Sequence, residues 1–198
     1  LTTLALELGH DGAATFSGSV GIGTTAMSSY YAKNFVVMAD GDGTGGITIA
    51  APATDDNTYL AFADGTSGAA TYAGYVGYRH ASPEYLFFGA GAETTMYVQG
   101  KTRVGIGGVP NANWRNDISD KILTLGTEAA LMSDSGVTTE LWNNAYVNNS
   151  DTFKNISTRG ASRYMQYSGA HKWFTAASAS AGSTISTEIN STPKMLLD

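Results

Sequence analysis

The chain contains no cysteine, only 4 proline residues and few charged residues, 14% of its 198. Without cysteine, neither a disulfide framework nor thiolate zinc ligation can stabilise the fold. Lysine and arginine total 11 and are scattered singly, and the net charge is −6. Because no basic stripe is present to neutralise phosphates, the sequence argues against nucleic acid as a partner.

Long apolar runs and common catalytic motifs are also missing. No window of about 18 apolar residues suits a membrane-spanning helix, and the first residues lack the pattern of a secretory signal, so no membrane insertion is predicted. No Gly-x-Ser-x-Gly elbow occurs, and no Gly-Lys-Ser/Thr sequence follows a glycine at the spacing of a phosphate loop. The sequence therefore predicts no catalytic site and no cofactor.

Glycine and tyrosine are abundant, with 24 and 11 residues, and 42% of the chain is hydrophobic. This composition favours flat, tightly packed β-structure over amphipathic helices. Asp-Gly pairs at residues 40–43 and at 64–65 are typical of tight hairpin turns. The prediction is a mainly β fold, with one short helix at residues 113–120.

A glycine-alternating phrase occurs twice. It comprises Val20, Gly21, Ile22 and Gly23 in its first copy and Val104, Gly105, Ile106 and Gly107 in its second. In a strand, the apolar residues share one face and the glycines leave the other face bare, which allows another backbone to approach closely. Both isoleucines are therefore expected to be buried, and aspartate at either position is expected to disrupt assembly.

The context of the phrase repeats as well. A short apolar strand and a turn precede each copy, at residues 4–9 and 96–101, and a similar strand ends the chain at 195–198. We interpret residues 1–25 as the end of a preceding module with its glycine connector, 26–107 as a first β-module and 108–198 as a second. Such small units cannot each bury a full core alone, so a partner is expected.

The first glycine phrase and the first module resemble bacteriophage tail-fibre repeats. The resemblance rests on residues 11–25, which end in Gly-Ser-Val-Gly-Ile-Gly-Thr-Thr, and on residues 72–88, which are similar to segments found between such phrases. The second module is less typical, because its phrase continues with Gly108, Val109 and Pro110. The resemblance implies tandem β-modules along an elongated homotrimeric fibre, located in the virion tail and assembled in the host cytoplasm.

The same resemblance implies a structural and adhesive role, in which the segment spaces or presents a tip that binds the host receptor. Its expected partners are two further copies of the chain, adjoining fibre or tail proteins and a host surface glycan or protein. Two alternatives stay open at this point, namely a glycan-cleaving tailspike segment and a cellular trimeric surface adhesin. A tailspike needs two carboxylates facing one cleft, and Glu140 is among the candidates.

Aromatic side chains are the candidate receptor contacts, because flat rings stack on sugar faces and tolerate exposure. The named candidates are Tyr75, Arg79, Trp142 and Trp173, although strand alternation predicts that at least half of the aromatic rings pack internally.

Metal sites are weakly indicated. Residues 40–47 imitate a calcium loop, but Ala51 stands where the bidentate glutamate belongs, which favours a hairpin turn. The three histidines are not paired at ligand spacing.

Overall fold

The computed structural model describes residues 18–31, 34–39, 46–54, 56–115, 117, 119–185, 187–191 and 193–197. The predicted strand at residues 4–9 and the predicted turn at 40–43 lie outside this set. The fold is mainly β, with 46% strand and 7% helix, as predicted. Two compact units are present, Leu1–Ile49 and Ala50–Asp198. The predicted boundary between residues 107 and 108 falls inside the second unit.

In the smaller unit, the first glycine phrase forms strand β1 (Val20–Ile22), which pairs in parallel with β2 (Phe35–Val37). A short 3-10 helix at Met27–Ser29 lies between the two strands in sequence. After β2, the amide of Met38 donates a hydrogen bond of 2.9 Å to the carbonyl of Ile22. Gly23 then leaves the strand with a φ of 75°, a conformation that favours glycine.

The larger unit is built on one sheet of eleven strands in the order β15-β14-β13-β10-β9-β8-β7-β6-β5-β4-β3. Neighbouring strands are antiparallel except for β7 and β8, and a separate hairpin of β11 and β12 is inserted after β10. A 3-10 helix at Gly68–Tyr72 and one π-helical turn at Thr187–Ser191 complete the unit. The strands are β3 (Asn57–Phe62), β4 (Gly74–Arg79), β5 (Tyr85–Ala90), β6 (Glu93–Gln99), β7 (Arg103–Ile106), β8 (Lys121–Leu125), β9 (Ala129–Asp134), β10 (Thr138–Asn143), β11 (Ala145–Val147), β12 (Phe153–Asn155), β13 (Ala161–Tyr167), β14 (Ala170–Ala176) and β15 (Met195–Leu197).

The second glycine phrase repeats the local structure of the first. It forms β7, which pairs in parallel with the next strand, β8. The amide of Gly126 donates to the carbonyl of Ile106 at 2.8 Å, as that of Met38 does to Ile22, and Gly107 has a φ of 74°. At each phrase, a glycine in the left-handed conformation follows the strand, and the next strand in sequence pairs in parallel with it.

The bare glycine face of the second phrase is filled by the same chain. A Cβ atom placed on Gly105 would lie against the carbonyl oxygen of Gly108 and 2.8 Å from Cδ of Pro110. The isoleucines have the opposite environment, because Ile22 and Ile106 are both exposed in the single chain. One chain alone therefore does not bury them, since it is the glycine side of β7 that is covered, and their burial in the assembly stays a prediction.

Substituting Gly105 tests this close approach. We expect Gly105→Ala to lower the free energy of unfolding by about 1–3 kcal/mol, because backbone and a proline ring occupy the space that the methyl group needs. Gly74→Ala is the matched control in another strand, where the nearest side-chain atoms would lie at an ordinary 3.6 Å. Urea denaturation measures both. Equal effects would contradict the assigned role of Gly105.

The two faces of the large sheet differ. The core face carries Gly105, Trp142 and Arg163, and over the second half of the sheet it is buried beneath Trp114, the β11–β12 hairpin, Ile185 and Ile189. The opposite face, which we call the row face, bears Leu131 and Leu141, both exposed. The buried hydrophobic cluster comprises Trp114, Ile122, Ala130, Met132, Trp142, Ala145, Tyr146, Val147, Ala161, Met165, Phe174, Ala176, Ile185 and Ile189.

Two arginines anchor the crossover that joins β7 to β8. Arg103 is buried, which lowers its pKa, and donates to the carbonyl of Trp114 at 3.2 Å. Arg115 donates to Asp120 at 2.7 Å and to Asp134 at 3.0 Å, and these carboxylates raise its pKa. The predicted helix at residues 113–120 is wrong, because the described part of this segment forms turns held by these side chains.

Candidate interaction surface

The row face carries one unbroken line of apolar side chains, in register across ten strands. Each member is the paired neighbour of the next, from β4 to β15. None of them is buried by the chain. This apolar row consists of Tyr78, Leu86, Val98, Val104, Leu123, Leu131, Leu141, Tyr164, Trp173 and Met195.

The row is long and lies across the strands. At about 4.8 Å between strands, its nine steps cover about 43 Å. A second, shorter line beside it contains Leu60, Val76, Phe88, Met96, Ile106 and Leu125. Monomeric proteins rarely leave a contiguous apolar patch larger than a few hundred Å² open to water. The row face is therefore the strongest interaction surface among the described residues.

An apolar groove of about 390 Å³ lies along the row at β6 to β10. Val98, Val104, Leu123 and Leu131 line it, and Lys101 and Lys121 belong to its lining as well. The row side chains at this level are aliphatic, whereas aromatic rings occupy the row at Tyr78, Tyr164 and Trp173. It gives the row face a depression that apolar side chains of a partner can enter.

Polar groups join the row at its β13–β14 end. The hydroxyl of Tyr164 lies 2.6 Å from Nδ1 of His171 and accepts a hydrogen bond from Gln166 at 2.8 Å. Trp173 packs on Tyr164 with ring centroids 5.1 Å apart. At the other end, Tyr78 donates to the carboxylate of Glu84, which raises the pKa of Tyr78. Tyr78 and Tyr164 thus each hold a hydrogen bond within the chain while their rings belong to the row.

The predicted receptor contacts are distributed over both faces. Tyr75 is buried on the core face, where Arg79 is half-buried and donates to the hydroxyl of Tyr85 at 3.3 Å. Trp142 is buried inside the core cluster, and Trp173 belongs to the apolar row. The structure thus places Tyr75 and Arg79 on one strand and separates both from the two tryptophans.

The core face contains a buried ion pair that was not predicted. Glu140 and Arg163 are 1% and 6% exposed, and two hydrogen bonds of 2.7 and 2.8 Å join them. The indole of Trp142 donates to the same carboxylate at 2.8 Å, and the hydroxyl of Thr138 donates at 2.7 Å. The guanidinium also lies over the ring of Trp142, 4.9 Å from its centroid. Pairing and hydrogen bonding together compensate for the loss of water around both charges.

Acidic side chains meet in one polar pocket of about 220 Å³, lined among others by Asp134, Glu140 and Asp151. Each of these carboxylates is bound by an arginine, Arg163 for Glu140 and Arg115 for the two aspartates. Near the pocket, burial raises the pKa of Asp120 and its ion pair with Arg115 opposes the rise. The described residues contain no group of three histidine or acidic side chains placed to hold a metal ion.

Within the described ranges, no helix has the length and apolar character needed to cross a membrane. Comparison of the chain with protein-family models, curated proteins and solved structures gives no match.

Proposed function

We propose that this chain is a structural segment of a bacteriophage tail fibre, and that three copies assemble through their row faces. The observation that carries the proposal is the apolar row, whose ten side chains all remain at least partly exposed to water. Removing such a surface from water is favourable in proportion to its area. Another copy of the chain is suited to bury this surface, because it carries the same apolar row with the same spacing between side chains.

The direction of the row favours an elongated assembly. It crosses the strands, so copies that stand side by side in parallel bring equivalent strands together at every level. Charged side chains are absent from the ten row positions, which spares the contact the cost of burying unpaired charge. Rotational symmetry about an axis parallel to the row gives every copy the same contacts.

The glycine phrases support a tandem arrangement. The β7–β8 pairing lets one antiparallel run of strands continue into the next within a single sheet, so a further module extends the row in the same direction. The recurrence of this pairing at β1 and β2 fits a connector that repeats along a fibre. In such a fibre, the segment spaces or presents the structure that binds the host.

The oligomeric state tests the proposal directly. We expect light scattering coupled to size exclusion to give a mass of three times 20.6 kDa for the 198-residue chain, independent of concentration over a wide range. The measurement needs no ligand and no activity assay. A folded monomer, or a dimer, would refute assembly as a trimer through the row face.

A further inference from the structure

At the other end of the core face, the first strands of the large sheet form an aromatic pocket. Its volume is about 450 Å³, within the range of small-molecule sites. β3 supplies Tyr59 and Ala61, β4 supplies Tyr75, and the 3-10 helix supplies Tyr72. The complete lining is Tyr59, Ala61, Tyr72, Tyr75, Phe87 and Thr94, which includes no charged side chain.

Two glycines shape the floor of this pocket. Tyr75 faces Gly89 across β4 and β5, and a Cβ atom on that glycine would meet ring atoms of Tyr75 at 2.5 Å or less. The tyrosine ring therefore lies over the glycine, close to the sheet. Phe87 covers Gly77 in the same way. Aromatic rings that cover strand glycines are held firmly, so the floor is preorganised.

The aromatic rings of the pocket meet at steep angles. Within the floor, the rings of Tyr75 and Phe87 are at 74° to one another, with centroids 5.8 Å apart, and Tyr59 forms a wall at 84° to the ring of Tyr75, with centroids 6.0 Å apart. Tyr72 lies tilted beside Tyr75 at 6.5 Å. Tyr59 and Tyr72 are exposed, so their rings offer contact area at the rim.

Hydrogen-bonding groups accompany the rings. A β-bulge at Phe88 and Gly89 pairs Thr94 with Gly89, and the Thr94 hydroxyl lies 2.7 Å from that of Tyr75. Asn57 donates to the hydroxyl of Tyr59 at 3.3 Å. Bulges commonly redirect a side chain next to a functional site. The pocket thus combines apolar ring faces with neutral hydroxyl groups.

From this combination we infer that the aromatic pocket binds a neutral pyranose unit of a glycan. A pyranose ring has faces of C–H bonds, which pack on the electron-rich face of an aromatic ring, and a rim of hydroxyls, which exchange hydrogen bonds with tyrosine and threonine. The uncharged lining disfavours acidic sugars. One chain forms the whole pocket, on the face opposite the apolar row, so this inference goes beyond the proposed assembly and does not depend on it.

The experiment is calorimetric titration of the 198-residue chain with three probes, namely maltotetraose, chitotetraose and the anionic tetragalacturonic acid. We expect binding of at least one neutral probe and no binding of the anionic one. Tyr72→Ala should weaken binding about tenfold, because an aromatic contact contributes more than 1 kcal/mol. Ala61→Phe, which fills the pocket and removes no tyrosine, should abolish binding.

Tyr167→Ala is the matched control, because Tyr167 is 42% exposed and Tyr72 is 46% exposed. The pocket inference is overturned if neither neutral probe binds at millimolar concentration, if only the anionic probe binds, or if Tyr72→Ala and Tyr167→Ala weaken binding equally. Light scattering on the same samples separates this test from that of the proposed function. A monomer that binds sugar refutes the trimer alone, and a trimer that binds none refutes the pocket alone.

Discussion

A single aspartate on the row face is expected to convert the trimer into monomers. Leu141 is 54% exposed in one chain and lies in the middle of the apolar row. In Leu141→Asp, each copy would bring an unpaired carboxylate into an apolar contact, at a cost of several kcal/mol per copy. Size exclusion with light scattering should show the mass fall to 20.6 kDa, with an unchanged circular dichroism spectrum.

Two further variants make this result specific. Val137→Asp is the matched control, because Val137 is 59% exposed but lies in the β9–β10 turn, outside the ten positions of the row. It should leave the mass unchanged. Ile106→Asp, in the second line of apolar side chains, should dissociate the trimer as Leu141→Asp does. If Leu141→Asp and Val137→Asp behave alike, the row face is not the assembly surface.

The largest effect on stability is expected from the buried ion pair. Glu140→Gln leaves the guanidinium of Arg163 buried without a counter-charge, beside the rings of Trp142 and Phe174. Breaking such a pair by removing one partner typically lowers the free energy of unfolding by about 3–5 kcal/mol. Urea denaturation at a fixed chain concentration measures the change, since any coupled dissociation depends on concentration.

The ion pair between Glu128 and Arg159 provides the control. Arg159 is largely exposed, so Glu128→Gln should change the stability by less than about 1 kcal/mol. The double variant Glu140→Gln with Arg163→Met should recover part of the loss, because no buried charge is left unpaired. A Glu140→Gln change as small as that of Glu128→Gln would show that the buried pair does not stabilise the fold.

The similarity between the two halves of the chain was only partly interpretable from sequence. Tyr75 and Tyr164 occupy the same place in matching Tyr-x-x-Tyr stretches, and both lie in strands of the sheet. Tyr75 nevertheless lies on the core face and Tyr164 on the row face. Side chains alternate with a period of two, so a shift of one residue exchanges the faces. Sequence similarity therefore located the strands, but it did not show on which face of the sheet each side chain lies.

By itself, the sequence determined the mainly β class and the positions of the repeated glycine phrases, because glycine, tyrosine and short apolar runs are local signals. Only the tertiary structure decided which residues pack against these segments. It placed Pro110 against Gly105, Arg163 beside Glu140, and the apolar residues of ten strands in one row. The ion-pair partners and most members of the row are far apart in sequence, and strand register, a long-range property, determines which residues share a face.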